Sequence, residues 1–123
     1  MKRAVVAYVL RNGMLLSVPR LDTGEHAAPG GKVEPEETDE DALARELDEE
    51  TGLRIVRAWR VYDGAHGVFA VRAYRVEALG EPVAREPGTR VAWVPIQAIA
   101  RGFASQYHTA ALIAAGLFER SSR

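Results

Sequence analysis

The 123-residue chain contains no cysteine. Disulfides, thiol nucleophiles and cysteine-ligated zinc are therefore excluded together. Histidine is scarce: His26, His66 and His108 stand far apart and suggest neither a zinc site nor a catalytic triad. Net charge is close to nil, with 16 Lys+Arg against 17 Asp+Glu leaving −1. A chain without clustered basic residues has no general means of gripping phosphate backbones, so no stable nucleic-acid partner is expected. No apolar run approaches the roughly 18 residues that span a bilayer, so no membrane partner is expected either. Met1-Lys2-Arg3 and the apolar Ala4 to Leu10 begin like a signal peptide. They run into Arg11-Asn12-Gly13 without a small-residue cleavage site, and the cytoplasm is the expected setting. Repeats, linkers and low-complexity tracts are absent. The length fits one domain over residues 1–123.

What is present is a set of short strand-forming runs around one acidic segment. Val5 to Leu10 and Met14 to Val18 flank Arg11-Asn12-Gly13, and Asn-Gly readily takes the positive φ angles of a tight hairpin turn. Pro19 through Pro29 is polar and broken, hence a loop, ending in Ala28-Pro29-Gly30-Gly31, where paired glycines allow close approach by a ligand. Arg54 to Tyr62 and Val68 to Leu79 read as longer strands with a turn starting at Asp63-Gly64. Gly80 to Thr89, with Pro82, Pro87 and Gly88, is a loop. Arg90 to Val94 is a strand, and Pro95 opens a short helical turn. Ser105 is placed to cap a closing helix through about Phe118. The expected fold class is α/β: one mixed sheet with helices packed on it.

The acidic segment is a helix from Asp39 to Thr51. Thr38 can cap it with Asp41 reaching back, and acidic residues in the first turn suit the helix dipole. Gly52 can end it in the left-handed conformation. At about 100° per residue, Glu46 and Glu50 fall between Ala42 and Leu43, on the apolar face, and Glu49 borders that face. Arg45 points away from the group. Crowded, inward carboxylates repel one another and resist burial unless a cation joins them, and carboxylate oxygens favour hard Mg²⁺ or Mn²⁺. Periodicity alone leaves a solvated acidic face as the alternative.

Gly31-Lys32-Val33-Glu34-Pro35-Glu36-Glu37, Thr38 to Ala44, and Arg45-Glu46-Leu47-Asp48-Glu49-Glu50-Thr51-Gly52-Leu53 together resemble the Nudix box, with every specified position filled. The resemblance implies an α/β/α sandwich with a mixed sheet and two main helices. It implies Mg²⁺ (or Mn²⁺) on Glu46, Glu49, Glu50 and the Gly30 carbonyl, and a Glu37–Arg45 salt bridge bracing the loop against the helix. Lys32 and Arg20 are placed like family residues that meet substrate phosphates. Glu49, or a glutamate from the loop before the last strand, could act as general base beside Glu46 and Glu50. Glu86 is the first choice there and Glu81 the second. Two departures stand out: Glu36 where relatives commonly have glycine, and Ala27-Ala28 where they often carry a larger residue, which would open the pocket wall.

Trp59, Tyr62, Phe69 and Tyr107 could stack on a base, and Gln106 could bond a base edge. The proline that ADP-ribose hydrolases carry after the box is missing, with Gly67 and Val68 in that neighbourhood. The signatures of NADH and coenzyme A hydrolases are missing as well. Elimination leaves a MutT-like nucleoside triphosphate pyrophosphohydrolase acting on a small-molecule nucleotide. Dinucleoside polyphosphates, nucleotide sugars and a non-catalytic nucleotide sensor are the alternatives. Monomer and homodimer are both open, since small domains of this shape often pair through a sheet edge.

Overall fold

A computed structural model describes residues 2–119. Its elements run β1 (Lys2–Arg11), β2 (Met14–Ser17), β3 (Gly30–Lys32), α1 (Asp39–Thr51), β4 (Arg54–His66), β5 (Phe69–Leu79), β6 (Ala92–Val94), α2 (Ile96–Ala100) and α3 (Ser105–Ala114). The hairpin expected at Asn12-Gly13 is present, both residues having positive φ and Arg11 pairing with Met14. The strand order is β4-β5-β1-β2-β6, with β3 also paired to β1. β1 runs parallel to β5 from Lys2↔Phe69 to Val9↔Val76, while its pairings with β2 and β3 are antiparallel. This is the mixed sheet anticipated from the sequence.

Alternation along β1 sets up the layers. Val5, Ala7 and Val9 join Leu43, Leu47 and Leu53 on the α1 face, while Tyr8 joins Ile99, Tyr107 and Leu112 on the opposite face. Both faces of the sheet are thus covered by helix, giving the α/β/α sandwich. α1 has its full capping box: Thr38 Oγ1 accepts from the Asp41 N–H at 3.1 Å and Asp41 accepts from the Thr38 N–H at 3.4 Å. Gly52 caps the other end at φ 75°. Asp39, in the first turn, is buried and bridges strands to helix through Arg72 at 2.8 Å, Tyr74 at 3.1 Å and Arg3 at 3.3 Å.

Four boundaries differ from the sequence expectation. Asp63-Gly64 lies inside β4, paired with Arg72 and Val71, and the turn falls at Gly67-Val68. Gly64 is needed there for clearance, because a Cβ would meet the Tyr62 ring at 2.6 Å and the Tyr107 ring at 3.1 Å. Gly30 and Gly31, expected in a loop, belong to β3. The last strand begins at Ala92, since the Arg90 N–H is spent on Pro19 O at 3.1 Å in a tie between loops. Ser105 is the first residue of α3, not its cap. Ala104 takes the cap position at φ 59°, and the helix stops at Ala114, short of Phe118.

Candidate active site

The α1 face carrying Glu46 and Glu50 packs against the Gly30-Gly31 edge of β3. Glu50 Oε2 accepts the Gly30 N–H at 3.0 Å. Gly31 forms a cradle: a Cβ there would sit 2.5 Å from the Glu46 carboxylate. The two carboxyls are near enough for each to affect the other's ionisation. Burial pushes the Glu50 carboxyl up to about 8, with the charges of Glu46 and Glu86 adding to the rise and the Gly30 N–H opposing it. Burial also raises Glu46, against the pull of Arg45. The pair is an under-compensated concentration of negative charge, and hard oxygen donors of this kind suit a divalent cation.

Arg45 is the correction here. The helical projection turned it away from the carboxylates, but its long side chain swings back and reaches two of them, Glu46 at 2.9 Å and Glu49 at 3.4 Å. It also grips Glu37 at 2.8 and 3.0 Å and the Lys32 carbonyl at 2.9 Å. The Glu37–Arg45 bridge is thus in place and holds the Glu37 carboxyl down at about 2. Glu49 is half exposed. No three His, Asp or Glu side chains among the described residues are gathered as a ready metal-holding group.

Glu86 is near enough for its charge to act on Glu50. Its loop is fastened to the end of α1 by Val83 N–H to Thr51 O at 3.0 Å and Arg85 N–H to Glu50 O at 3.1 Å. It is fastened to the other side by Leu21 N–H to Gly88 O at 2.9 Å. Glu81, the second choice, is 91% exposed and lies 3.8 Å from Arg11. Arg20 shares a depression with Glu86 and is held by Asp22 at 2.7 and 3.0 Å.

Behind Gly30-Gly31 opens an apolar cavity of about 220 Å³. Ala27 and Ala28 line it. Phe69, Phe103, Tyr107, His66 and His108 complete most of the wall. Lys32 extends from β3 with Nζ 5.8 Å from the Phe69 ring centre. Tyr107 presents only its ring, because its hydroxyl donates to Val71 O at 3.0 Å. Gln106 is exposed and is not part of the wall. Trp59 lies away from it, between the guanidinium groups of Arg57 and Arg75, and Tyr62 packs edge-on against Tyr107. His66, His108 and Phe103 are the contributors that sequence reasoning missed. Only the apolar character of α3 could have hinted at His108. A larger cleft of about 580 Å³ at the start of α1 is lined by Arg3, Asp39, Arg72 and Tyr74, whose polar groups are already bonded to one another.

A NUDIX domain model matches residues 1–113. This chain belongs to the Nudix family. Among its Nudix relatives, the "8-oxo-dGTP diphosphatase" of Haemophilus influenzae is 36% identical over 110 residues, 80% of this chain and 79% of that one. The Mycobacterium tuberculosis protein named "Putative 8-oxo-dGTP diphosphatase 2" is 48% identical over 69 residues. That alignment takes in 51% of this chain and 49% of the relative, so the match spans about half the length of that protein. A solved structure from work on MutT of Aliivibrio salmonicida and Vibrio cholerae has the same fold, with a TM-score of 0.77 at 25% identity over 95% of this chain and 98% of that one. No helix among the described residues is long and apolar enough to cross a membrane.

Proposed function

We propose that this Nudix protein is a divalent-metal-dependent hydrolase of nucleoside triphosphates that releases nucleoside monophosphate and pyrophosphate by attack of water on phosphorus. The observation that carries this reading is the sharing of Gly30-Gly31 by two unlike sites, a buried carboxylate pair on one side and an apolar cavity on the other. A base and its sugar suit the cavity, and the triphosphate then passes over the glycines toward the carboxylates. The names of the relatives from Haemophilus influenzae and Mycobacterium tuberculosis accord with a nucleoside triphosphate substrate.

The residues fit a hard cation. Gly31 leaves room that any other side chain would fill, and the charge of Glu46 and Glu50 is only partly met by Arg45 and the Gly30 N–H. Glu46, Glu49, Glu50 and the Gly30 carbonyl would hold Mg²⁺, with Mn²⁺ as a substitute. Such an ion neutralises phosphate charge and lowers the pKa of bound water. The protein's own residues do the rest. Arg45 fixes Glu46 and Glu49 by direct bonds, and Glu37 fixes Arg45. Lys32 and Arg20 supply the positive charge that attracts the phosphate chain. Glu86, held near Glu50 by its fastened loop, accepts the proton of the attacking water on a carboxylate oxygen.

Incubation with a panel of nucleoside triphosphates, dinucleoside polyphosphates and nucleotide sugars in Mg²⁺ tests the reading. The expected outcome is pyrophosphate and monophosphate from at least one triphosphate. Binding without turnover across the whole panel would instead support a nucleotide sensor.

A further inference from the structure

Two side chains of β1 make long-range bonds of different kinds. The Tyr8 hydroxyl and His108 Nδ1 meet at 2.7 Å, joining the sheet to α3. Arg11, at the far end of the strand, instead holds main chain. Its Nη1 donates to Gly80 O at 2.7 Å and its Nη2 to Ala78 O at 2.8 Å. The parallel ladder between β1 and β5 stops at Val9↔Val76, and Arg11 itself pairs with Met14 across the hairpin. The guanidinium fork takes over where that ladder ends, supplying donors to carbonyls at and just past the end of β5.

The same guanidinium lies over the Trp93 ring, its central carbon 5.3 Å from the ring centre. Trp93 belongs to β6 and pairs with Leu16 of β2. Gly80 and Trp93 stand at the two roots of segment 80–91, which connects β5 to β6 and carries Glu86. Arg11 thus clasps both roots of one loop with one planar group. Charge pairing does not account for this placement. Glu81, the carboxylate beside it, is 91% exposed and 3.8 Å away, an arrangement that contributes little. Between its roots the loop is tied to α1 through the Val83 and Arg85 N–H groups. It is tied to Pro19 and Leu21 through the Arg90 N–H and the Gly88 carbonyl. A loop held along its middle can still pivot about its ends, and a clasp on both ends removes that freedom.

We propose that Arg11 is a positioning residue for hydrolysis, acting through Glu86 by holding both roots of the 80–91 loop. The proposal rests on the hydrolase reading above, with Glu86 as proton acceptor. Among the described residues, the hydrogen bonds of the Arg11 side chain go to the loop's entry, and none goes to Glu46, Glu49 or Glu50. A general base that is slightly displaced loses rate without losing substrate, so the defect falls on kcat.

Arg11→Met keeps an apolar stem beside Trp93 and removes every donor. It is expected to lower kcat about tenfold with KM changed by less than about twofold. Arg11→Lys, which keeps a charge and a donor, should recover part of the loss. The deciding measurement is a double-variant cycle with Glu86→Gln. In that background Arg11→Met should cost less than about twofold more, because the group it positions is already gone. Amide hydrogen exchange, read without substrate, should quicken at Val83 and Arg85 while Leu43 and Leu47 of α1 stay unchanged. A purely structural role would instead multiply the losses and loosen helix and loop alike.

A folded Arg11→Met variant with wild-type kcat, the same loss repeated in the Glu86→Gln background, or equal loss of protection in loop and helix would each overturn the proposal. Should Arg11→Met fail to fold, Arg11→Lys carries the same cycle and the same exchange measurement. Undiminished turnover in Glu86→Gln would also overturn it, with triphosphate hydrolysis left standing. Absence of hydrolysis by wild type would sink the hydrolase reading and the catalytic role with it. The exchange pattern would then decide separately whether Arg11 holds the loop.

Discussion

The Arg85 guanidinium donates to the Asp48 carboxylate at 3.0 Å, while the Arg85 backbone N–H donates to the Glu50 carbonyl at 3.1 Å. One residue thus ties the loop bearing Glu86 to the helix bearing the carboxylate pair, at both side-chain and backbone level. Arg85→Ala should lower kcat about tenfold with little change in KM, since the loop would hold Glu86 less firmly. Both partners are about half exposed, so global stability should change by no more than about 1 kcal/mol. Steady-state kinetics with a thermal melt checks both, and Arg85→Lys should recover part of the rate. An Arg85→Ala enzyme with wild-type kcat would remove the positioning role.

Glu50→Gln should cut turnover by about 10²–10³-fold while leaving the fold intact, as loss of a central charge-stabilising group does. In EDTA the variant should melt a few degrees higher than wild type, because a buried, crowded carboxylate is replaced by a neutral group. Adding Mg²⁺ should raise the melting temperature of wild type and not of the variant. Undiminished turnover would reject the assigned site.

Glu36 occupies the left-handed region at φ 69°, a conformation that suits glycine better than a residue with a side chain. A side chain with a Cβ is strained there by about 1 kcal/mol, partly offset by the greater freedom glycine gives the unfolded chain. Glu36→Gly should therefore gain up to about 0.5–1 kcal/mol of stability. Urea denaturation at constant m-value measures it. A loss of stability would show that the Glu36 side chain earns its place through contacts.

His108 is held neutral by burial, with its pKa pushed below the ordinary 6.5 to about 4. A depressed histidine contributes stability that is complete above pH 6.5 and is lost as pH falls through 4. The raised carboxyl of Glu50 works in the other direction over part of this range, gaining protons in the folded state first. The difference between wild type and the Tyr8→Phe/His108→Phe variant, both in EDTA, isolates the histidine. That difference should shrink by on the order of 2–3 kcal/mol between pH 7 and 4. A pH-independent difference would mean that His108 can be charged in place.

Local signals served well where neighbours in sequence decide the structure. Thr38, Asp41 and Gly52 mark the ends of α1 by their own side-chain and backbone chemistry, and helical spacing alone brings Glu46 and Glu50 to one face. Reach and distance defeated the same reasoning elsewhere. Arg45 starts on the wrong side of the helix, and its flexible stem carries the charge back. The cavity draws on β1, the 27–28 loop, β5 and α3, which no sequence window contains. Gln106 and His108 are two positions apart on α3, so a helix turns one outward and the other inward, and the polar residue chosen for base contact was on the outer side. Gly64 resembled a turn residue because sequence does not show the two aromatic rings that cross it.

The parallel pairing of β1 with β5 has a consequence for how the chain is made. Val9 lines up with Val76, so during synthesis the first strand must wait for many later residues to leave the ribosome before its long neighbour arrives. Only β2 and β3 are available to it in the interval, and each covers only a small part of its length. The nascent amino-terminal half is therefore the stage most exposed to self-association, and chaperone demand should fall once β5 has emerged.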